Sequence, residues 1–164
     1  YVAVPRHSSA DRPYVPMAYL EPSIIANDAV QAVSDAPLWL FGFLQSKPFN
    51  VWNKAVSGRI KSDTRISNTV TYNNFPFPEL DSGGQDKIAA AAKAVLNARD
   101  SYPKSSLADL YESTSMPTEL SKAHTKLDAE VLTAYGLKST ASDSEILECL
   151  FSNYREQLEQ VEGK

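Results

Sequence analysis

The segment Val51–Leu80, VWNKAVSGRIKSDTRISNTVTYNNFPFPEL, joins the pattern of a helix, a polar basic run and a run of aromatic residues and prolines. The sequence before it is typical of strands and loops, and the sequence after it of amphipathic helices. Positive charge also concentrates here, because Lys47 to Arg65 contains five basic residues and one acid, while the whole chain has a net charge of −4. Charge and predicted geometry therefore indicate a binding surface in this part of the chain.

A helix is predicted at the start of this segment. Pro48 suits a first helical turn, where its missing N–H would have no partner anyway. Phe49, Trp52 and Val56 then recur at helical spacing. Gly58 is a common type of C-terminal stop, so we expect the helix to end there.

The polar run that follows, RIKSDTRISNTVTY, is rich in β-branched residues, which favour an extended chain. Alternate side chains of a strand lie on one face, so a single strand would present four charged residues together: Arg59, Lys61, Asp63 and Arg65. Two interpretations follow from this pattern. The face could bind a partner, or it could be the charged edge that sheets use to prevent edge-to-edge pairing.

The first half of the chain reads as mixed strands and loops. Strands are predicted at residues 1–4, 14–20 and 27–33, with a loop at 5–13 that carries Arg6, His7 and Arg12. Pro16 places the second strand at an edge or a bulge. Residues 38–45, LWLFGFLQ, are uniformly apolar and therefore buried, but periodicity does not separate helix from strand there.

The second half reads as helices. Apolar stripes predict helices at residues 85–100 and 117–135, the second stopped by Gly136, and a short turn or helix at 107–111. The sequence Ser142-Asp143-Ser144-Glu145 is a capping box, which opens a third helix. Its predicted inward residues are Ile146, Leu147, Leu150, Phe151, Tyr154 and Leu158. We therefore expect an α+β fold: a mixed domain of short strands and two helices at residues 1–82, then a small helical bundle at 83–164, divided at Gly83-Gly84.

Composition limits the function classes. A chain of 164 residues with 43% hydrophobic content permits a real core, and none of its runs is apolar enough to span a bilayer. The single cysteine, Cys149, allows no intrachain disulfide, which suits a reducing cytosol. The start at Tyr1, within a strand-like YVAV, indicates a segment of a longer polypeptide.

The charge divides unevenly between the halves. Residues 1–82 have seven basic and seven acidic side chains, whereas residues 83–164 have nine and thirteen. A nucleic-acid-binding domain usually shows a basic footprint, and here that footprint is confined to the first half. The acidic second half is a poor candidate for contacting phosphates.

Catalytic motifs are missing. Amino-methyltransferases need an Asn/Asp-Pro-Pro-aromatic loop, and Asn74-Phe75-Pro76-Phe77 lacks the two adjacent prolines. Gly83-Gly84 is predicted to be a linker-like turn, and it lacks the strand and spacing of a cofactor loop. His7 and His124 are too few and too distant for a metal cluster or a triad, and His124 fits a structural or a surface role. We therefore predict no catalytic residue, metal ligand or cofactor site in this chain.

The run YNNFPFPEL has two interpretations. Prolines beside Phe75 and Phe77 make a stiff extended segment that favours packing of both rings in the core. Exposed rings could instead stack on bases, as in single-strand binders.

Four segments resemble the C-terminal region of the MmeI-like, type IIL restriction-modification enzymes: AVPRHSSADRPYVPMAYL, SGRIKSDTRIS, YNNFPFPEL and AVLNARDSYPKSSLADLYESTSMPTELSKAH. Those enzymes join a nuclease, an adenine-specific DNA methyltransferase and a target recognition domain in one polypeptide. The resemblance covers nearly the whole chain. It implies most of a target recognition domain followed by the helical tail, with a helix at residues 38–45, and it places the catalytic parts upstream.

The resemblance also assigns base-reading positions. Guanine presents two acceptors in the major groove, which suit Lys or Arg, and cytosine presents an amino donor, which suits Asp or Glu. Lys61 and Asp63 have this chemistry, and they match the family positions that set the last base of the recognition sequence. The resemblance pairs further readers of interior positions: Arg6 with Asp28, and Ala29 with Arg65.

Contacts with the DNA backbone position a protein without specifying a sequence, and we assign them to Lys47, Lys54, Arg59 and Ser62. Structural alternatives remain for the predicted readers. Arg6 could pair with Asp11, Asp28 could cap a turn, and Lys61 could pair with Asp63, in an exposed contact worth about 0–1 kcal/mol.

The sequence thus predicts a module that recognises a short duplex DNA site for the methyltransferase and nuclease of a bacterial, cytoplasmic enzyme. The resemblance implies S-adenosylmethionine and Mg²⁺ as cofactors of that enzyme, the upstream methyltransferase domain as a partner, and no membrane. An alternative is a protein-interaction module whose helical half docks a partner. A complete small enzyme is a third possibility, against which the missing motifs argue.

Overall fold

The computed structural model describes residues 1–61 and 63–162. Its strands are β1 (Val2–Pro5), β2 (His7–Ser8), β3 (Ala18–Tyr19), β4 (Val30–Val33), β5 (Gly58–Ile60) and β6 (Asp63–Arg65). Its helices are α1 (Leu38–Leu44), α2 (Lys47–Val56), α3 (Ser82–Asp100), α4 (Leu107–Leu110), α5 (Thr118–Ala134) and α6 (Asp143–Glu162), with a π-helical turn at Asn68–Tyr72. The predicted α+β class, with short strands and a helical second half, is confirmed.

The strands form two antiparallel sheets of three strands each, in the orders β3-β1-β4 and β2-β6-β5. Arg6, between β1 and β2, links them: its N–H donates to the Ala29 carbonyl (3.0 Å) and its carbonyl accepts from the Ile66 N–H (2.9 Å). The predicted loop at residues 5–13 was therefore partly wrong. A two-residue strand has no alternation to detect, and β2 exists because β6 pairs with it.

Two predicted strands are shorter than expected. Residues 14–20 form a strand only at Ala18–Tyr19, since Pro16 cannot donate to a ladder. Residues 27–33 form one only at Val30–Val33, because the Asn27 side chain accepts from the Ala29 N–H (3.0 Å) and holds a turn before the strand.

The apolar residues 38–44 are helical, as the resemblance implied. Gly42 permits a close approach between α1 and α3, because a Cβ at this position would lie 2.6 Å from the Cγ2 of Ile88. Helix α2 begins after Ser46, whose side chain accepts from the Phe49 N–H (3.5 Å). Gly58 does not stop this helix as predicted. The chain is already extended at Ser57, and Gly58 begins β5.

The predicted signals of the second half are confirmed at three points. Gly136 follows α5 with a φ of +70°, in the left-handed region that favours glycine. Ser142 and Glu145 exchange the two hydrogen bonds of a capping box at the start of α6. The strands of the described residues all precede α3.

Two details of this half differ from the prediction. Gly83 and Gly84 are not a linker but lie in the first turn of α3, where Asp81 accepts from the Gly84 N–H (2.7 Å). Phe151 and Leu158 were predicted to point inward, yet they are 41% and 42% exposed; the ring of Phe151 lies 5.3 Å from that of Trp52 but is only partly covered.

One hydrophobic core joins the two halves of the chain. Helix α1 packs on α3, and α2 packs on α5 and α6. Arg99 of α3 donates to the Met17 carbonyl of the first half (2.8 Å). The division at residues 82 and 83 stays a prediction. None of the helices in the described part of the chain is long and apolar enough to cross a membrane.

Candidate nucleic-acid interface

The basic segment is a hairpin and not the predicted single strand. Strands β5 and β6 pair antiparallel, with Ile60 opposite Asp63 and Gly58 opposite Arg65, so that Lys61 lies at the tip. Lys61 has a φ of +57°, a left-handed conformation typical of tight hairpin turns. The hairpin satisfies backbone groups that an unpaired strand would leave to water, and β2 pairs on the other side of β6.

The strand register shows which side chains share a face. Thr64 is buried, so Asp63 and Arg65 on either side of it belong to the opposite, outer face. Their cross-strand partners Ile60 and His7 share that face. The outer face therefore consists of four residues: His7, Ile60, Asp63 and Arg65.

Arg59 does not belong to the outer face. It lies opposite Thr64 in the register, and its guanidinium donates to the Lys54 carbonyl (3.4 Å). The prediction that Arg59, Lys61, Asp63 and Arg65 share one face of a strand was therefore wrong. The hairpin turn at residue 61 interrupts the period of two on which that prediction depended.

A buried polar network holds the inner side of this sheet on α2. Asn53 donates to the Thr64 hydroxyl (3.2 Å), which donates to the Ser8 carbonyl (3.1 Å). The Ser57 hydroxyl donates to the side-chain Oδ1 of Asn53 (2.6 Å) and lies 2.6 Å from the Thr71 hydroxyl. Because buried polar groups in such a network depend on one another, the network holds β6 in one position relative to α2.

Four predicted base readers, distant in sequence, are brought together. The backbone bond between Arg6 and Ala29 places the Asp28-Ala29 turn beside Arg6. His7, which follows Arg6, pairs with Arg65 on the neighbouring strand β6, so Arg65 also lies close to Arg6. Arg6 and Arg65 line an open groove of about 540 Å³, whose other walls are Gln31, Gly58, Asn68 and Val70. Lys61 and Asp63 lie further along the hairpin, at and beside its tip.

The charged side chains of this region are not paired with one another in the described residues. The ion pairs within that part of the chain are Arg12–Glu112 (3.8 Å) and Lys47–Asp143 (3.0 Å), so neither Lys61–Asp63 nor Arg6–Asp11 forms one. The turn at Asp28 is capped by Asn27 instead. The base-reading roles of these residues stay predictions.

The predicted phosphate contacts are spread over α2 and the hairpin. Lys54 is half-buried near the end of α2, and Arg59 is exposed on β5 of the hairpin. The Lys47 ammonium is engaged by the Asp143 carboxylate and donates to the Ala141 carbonyl (3.1 Å). Its role at a phosphate stays a prediction, and so does that of Ser62, which lies outside the described residues.

The aromatic-proline run packs in the core, as predicted. Phe75 is buried, with its ring centroid 5.3 Å from that of Phe49, and Phe77 packs against Phe43 at 5.6 Å. Base stacking on Phe75 is excluded, because the ring is only 3% exposed.

Two strongly shifted titratable groups lie in a buried polar junction, formed by Gln45, Arg99, Tyr111, His124 and Asp128. Burial lowers the pKa of His124 to about 3, so this ring is neutral; its Nε2 lies 2.6 Å from the Tyr111 hydroxyl. Burial raises the pKa of Asp128 to about 6, although it accepts from the Tyr14 hydroxyl (2.6 Å) and the Lys47 N–H (2.7 Å). The structural role predicted for His124 fits this environment.

Sequence reasoning did not single out Asn53, which holds the sheet, or Gln31 and Asn68, which line the groove. The roles of all three residues depend on tertiary contacts, so no local sequence pattern identifies them. Among the described residues, no group of three or more His, Cys, Asp or Glu side chains could hold a metal ion.

The model for the MmeI target recognition domain matches residues 1–79, and that for the MmeI C-terminal domain matches residues 81–162. DNA methyltransferase A of Bacillus subtilis (strain 168) is 39% identical over 158 residues, which are 96% of this chain and 18% of that protein. The solved structure of the type IIL restriction-modification enzyme MmeI in complex with DNA is 35% identical and superposes with a TM-score of 0.90, over 94% of this chain and 21% of that one. This chain thus spans about a fifth of either relative. It belongs to the MmeI family and matches its target recognition and C-terminal domains.

Proposed function

We propose that this chain is the duplex-DNA recognition module of a bacterial type IIL restriction-modification enzyme. The observation that carries the proposal is that Arg6 and Arg65 line one groove beside the outer face of the hairpin, while a backbone hydrogen bond holds the Asp28-Ala29 turn next to Arg6. The match to a structure solved with DNA supports it. A two-stranded ribbon has the right width for the major groove.

The proposed readers have complementary chemistry. Lys61 donates to guanine and Asp63 accepts from the paired cytosine, so the hairpin tip reads one G·C pair. Arg6 and Asp28 repeat this cation–carboxylate combination at an interior position. Arg65 supplies donors beside the small Ala29, which leaves room for a base.

Backbone contacts come, in this proposal, from Lys47, Lys54, Arg59 and Ser62. The chain has a net charge of −4, so its overall field repels DNA, and attraction depends on the local cations Lys47, Lys54 and Arg59. Other domains of the longer polypeptide supply the remaining phosphate contacts.

The longer polypeptide is proposed to be a site-specific adenine methyltransferase with a fused nuclease, acting in the bacterial cytoplasm. The two relatives support this proposal, since one is a DNA methyltransferase and the other a restriction-modification enzyme. S-adenosylmethionine and Mg²⁺ belong to its catalytic domains. The methyltransferase domain is the proposed intramolecular partner of this chain, and duplex DNA the intermolecular one.

The test is the salt dependence of duplex binding by the full-length polypeptide. Each phosphate neutralised contributes about −0.9 to the slope of log K against log salt concentration. Lys54→Ala and Arg59→Ala should each make that slope less negative by roughly 0.9 and weaken specific and unrelated duplexes alike. Lys122→Ala, at an exposed position on α5, is the matched control and should change neither quantity.

A protein-docking function is favoured by one observation, the exposed apolar side chains Phe151, Leu158 and Val161 of α6. Two results together would contradict DNA recognition by this chain. The salt slope would be unchanged in Lys54→Ala and Arg59→Ala, and the base preference at every site position would be unchanged in Lys61→Ala and Arg65→Ala. The docking function would then take its place.

A further inference from the structure

The groove contains an amide that the recognition roles above do not use. Gln31 lies in β4 opposite Val4 and lines the groove with Arg6 and Arg65. It is half-buried, and its side-chain amide makes no hydrogen bond within residues 1–61 and 63–162. An amide in this position presents a donor and an acceptor to whatever enters the groove.

Two other amides near the groove are already engaged. The Oδ1 of Asn68 accepts from the Thr69 N–H (2.9 Å), and the Oδ1 of Asn27 accepts from the Ala29 N–H (3.0 Å). Both acceptors therefore stabilise local turns. Gln31 differs from them, because its donor and its acceptor both remain available within the described structure.

The chemistry of Gln31 complements that of its neighbours. Arginine carries donors only, which suits the two acceptors of guanine. Glutamine carries a donor and an acceptor side by side, which matches the N7 acceptor and N6 amino donor of adenine in the major groove. The groove thus combines two guanine-type readers with one adenine-type reader.

The surroundings of Gln31 leave space for a base edge. Ala29, two residues before it, is exposed and small. Across the groove, a Cβ added at Gly58 would meet no heavy atom within 4 Å. The pairing of Val4 with Gln31 and the bond from Arg6 to Ala29 hold the backbone of Gln31 at a fixed position relative to the backbone of Arg6.

We propose that Gln31 is a further specificity-determining residue, which reads the adenine of an A·T pair adjacent to the pairs read by Arg6 and Arg65. This inference rests on the proposed function, since it requires DNA in the groove. It adds a base class that none of the Arg, Lys or Asp readers recognises.

The experiment measures methylation by the full-length polypeptide on a duplex library randomised across the recognition site. Gln31→Met keeps the length of the side chain and removes both hydrogen-bonding groups, so the preference for A·T at one position should fall by roughly 5- to 150-fold, while other positions keep theirs. Gln31→Glu retains only acceptors and should shift the same position towards cytosine. Gln160→Met, at an exposed position on α6, is the matched control and should leave every preference intact.

Several outcomes would overturn the inference. One is an unchanged A·T preference in Gln31→Met, and another is an equal loss of preference at all positions. The third is a wild-type recognition site without an A·T pair next to the pairs read by Arg6 and Arg65. The thermal unfolding midpoint of each variant is also measured. A midpoint close to that of the wild type shows that a lost base preference is not caused by unfolding. If Gln31→Met is unstable, the direction of the Gln31→Glu shift decides. Methylation by the wild type without any sequence preference would instead contradict the proposed function itself.

Discussion

The outer face of the hairpin and the buried polar junction use the same kinds of side chain in opposite ways. Arg65 of the outer face is exposed and forms no ion pair within the described residues. Arg99 of the junction is 7% exposed and donates to the Tyr111 hydroxyl (2.9 Å), the Met17 carbonyl (2.8 Å) and Gln45. The junction engages its arginine internally and so supports folding, whereas the outer face leaves its arginine to a partner.

The largest expected effect is on the free energy of unfolding, and it should differ between substitutions of Arg99 and of Arg65. Arg99→Ala removes the donor shared by three buried acceptors, and each unsatisfied buried group costs about 1–3 kcal/mol, so we expect a loss of at least about 3 kcal/mol in the free energy of unfolding. Arg65→Ala should stay within about 0.5 kcal/mol of the wild type, because it alters an exposed site. Urea unfolding of this chain measures both. Equal effects of the two substitutions would remove the distinction between the regions.

The second prediction concerns specificity and sharpens the role of the hairpin tip. Lys61→Glu combined with Asp63→Arg places an acceptor where guanine was read and a donor where cytosine was read. The preferred pair at that one position should change from G·C to C·G. Each single substitution leaves one mismatched contact worth about 1–3 kcal/mol and should therefore impair binding more than the double substitution.

Mapping of methylated sites in DNA modified by the full-length double variant provides the measurement. An unchanged site, or relaxation of all positions together, would show that Lys61 and Asp63 do not read bases. The charged edge that protects a sheet from pairing would then be the explanation for this segment.

The smallest expected effect is a pH dependence confined to the junction. The folded pKa of His124 is about 3 against an ordinary 6.5, so its contribution is full above pH 6.5 and is lost as the pH falls towards 3. The folded pKa of Asp128 is about 6 against an ordinary 3.8, so its carboxyl stabilises the fold when protonated, and that stabilisation is lost as the pH rises from 3.8 through 6.

Acidification from pH 7 to 5 therefore costs about 2 kcal/mol through His124 and restores about 1 kcal/mol through Asp128, at 1.36 kcal/mol per pKa unit. Asp128→Asn removes the second contribution, so its stability should fall more steeply than that of the wild type by about 1 kcal/mol over this range. Urea unfolding at the two pH values measures the difference. Parallel slopes for both proteins would show that Asp128 does not bind a proton in this window.

The helical half could be predicted closely from sequence. Its stripes, the stop at Gly136 and the capping box of Ser142 and Glu145 all depend on residues within a few positions of one another. The exceptions were the exposed Phe151 and Leu158, since periodicity identifies an apolar stripe but not whether another element covers it. The glycines at 83 and 84 were mistaken for a linker because the cap at Asp81 outweighs their low helix propensity.

The candidate site could be predicted only in part. Residue chemistry marked the basic segment, and the family resemblance supplied the pairs Arg6–Asp28 and Ala29–Arg65. The hairpin, the exclusion of Arg59 from the outer face and the position of Gln31 were not predicted. Each depends on which backbone groups pair across long sequence separations, and a period of two cannot reveal where a strand turns back.

The sequence by itself determined most local elements of the second half, such as the end of α5 at Gly136 and the start of α6 after Ser142, and the concentration of positive charge before Leu80. Tertiary structure alone decided that β2 and β6 pair, that α1 and α2 share a core with α3, α5 and α6, and that Arg6, Gln31 and Arg65 line one groove. The physical reason is one of range. Helix propensity and capping act within about four residues, whereas strand pairing and burial select partners anywhere along the chain.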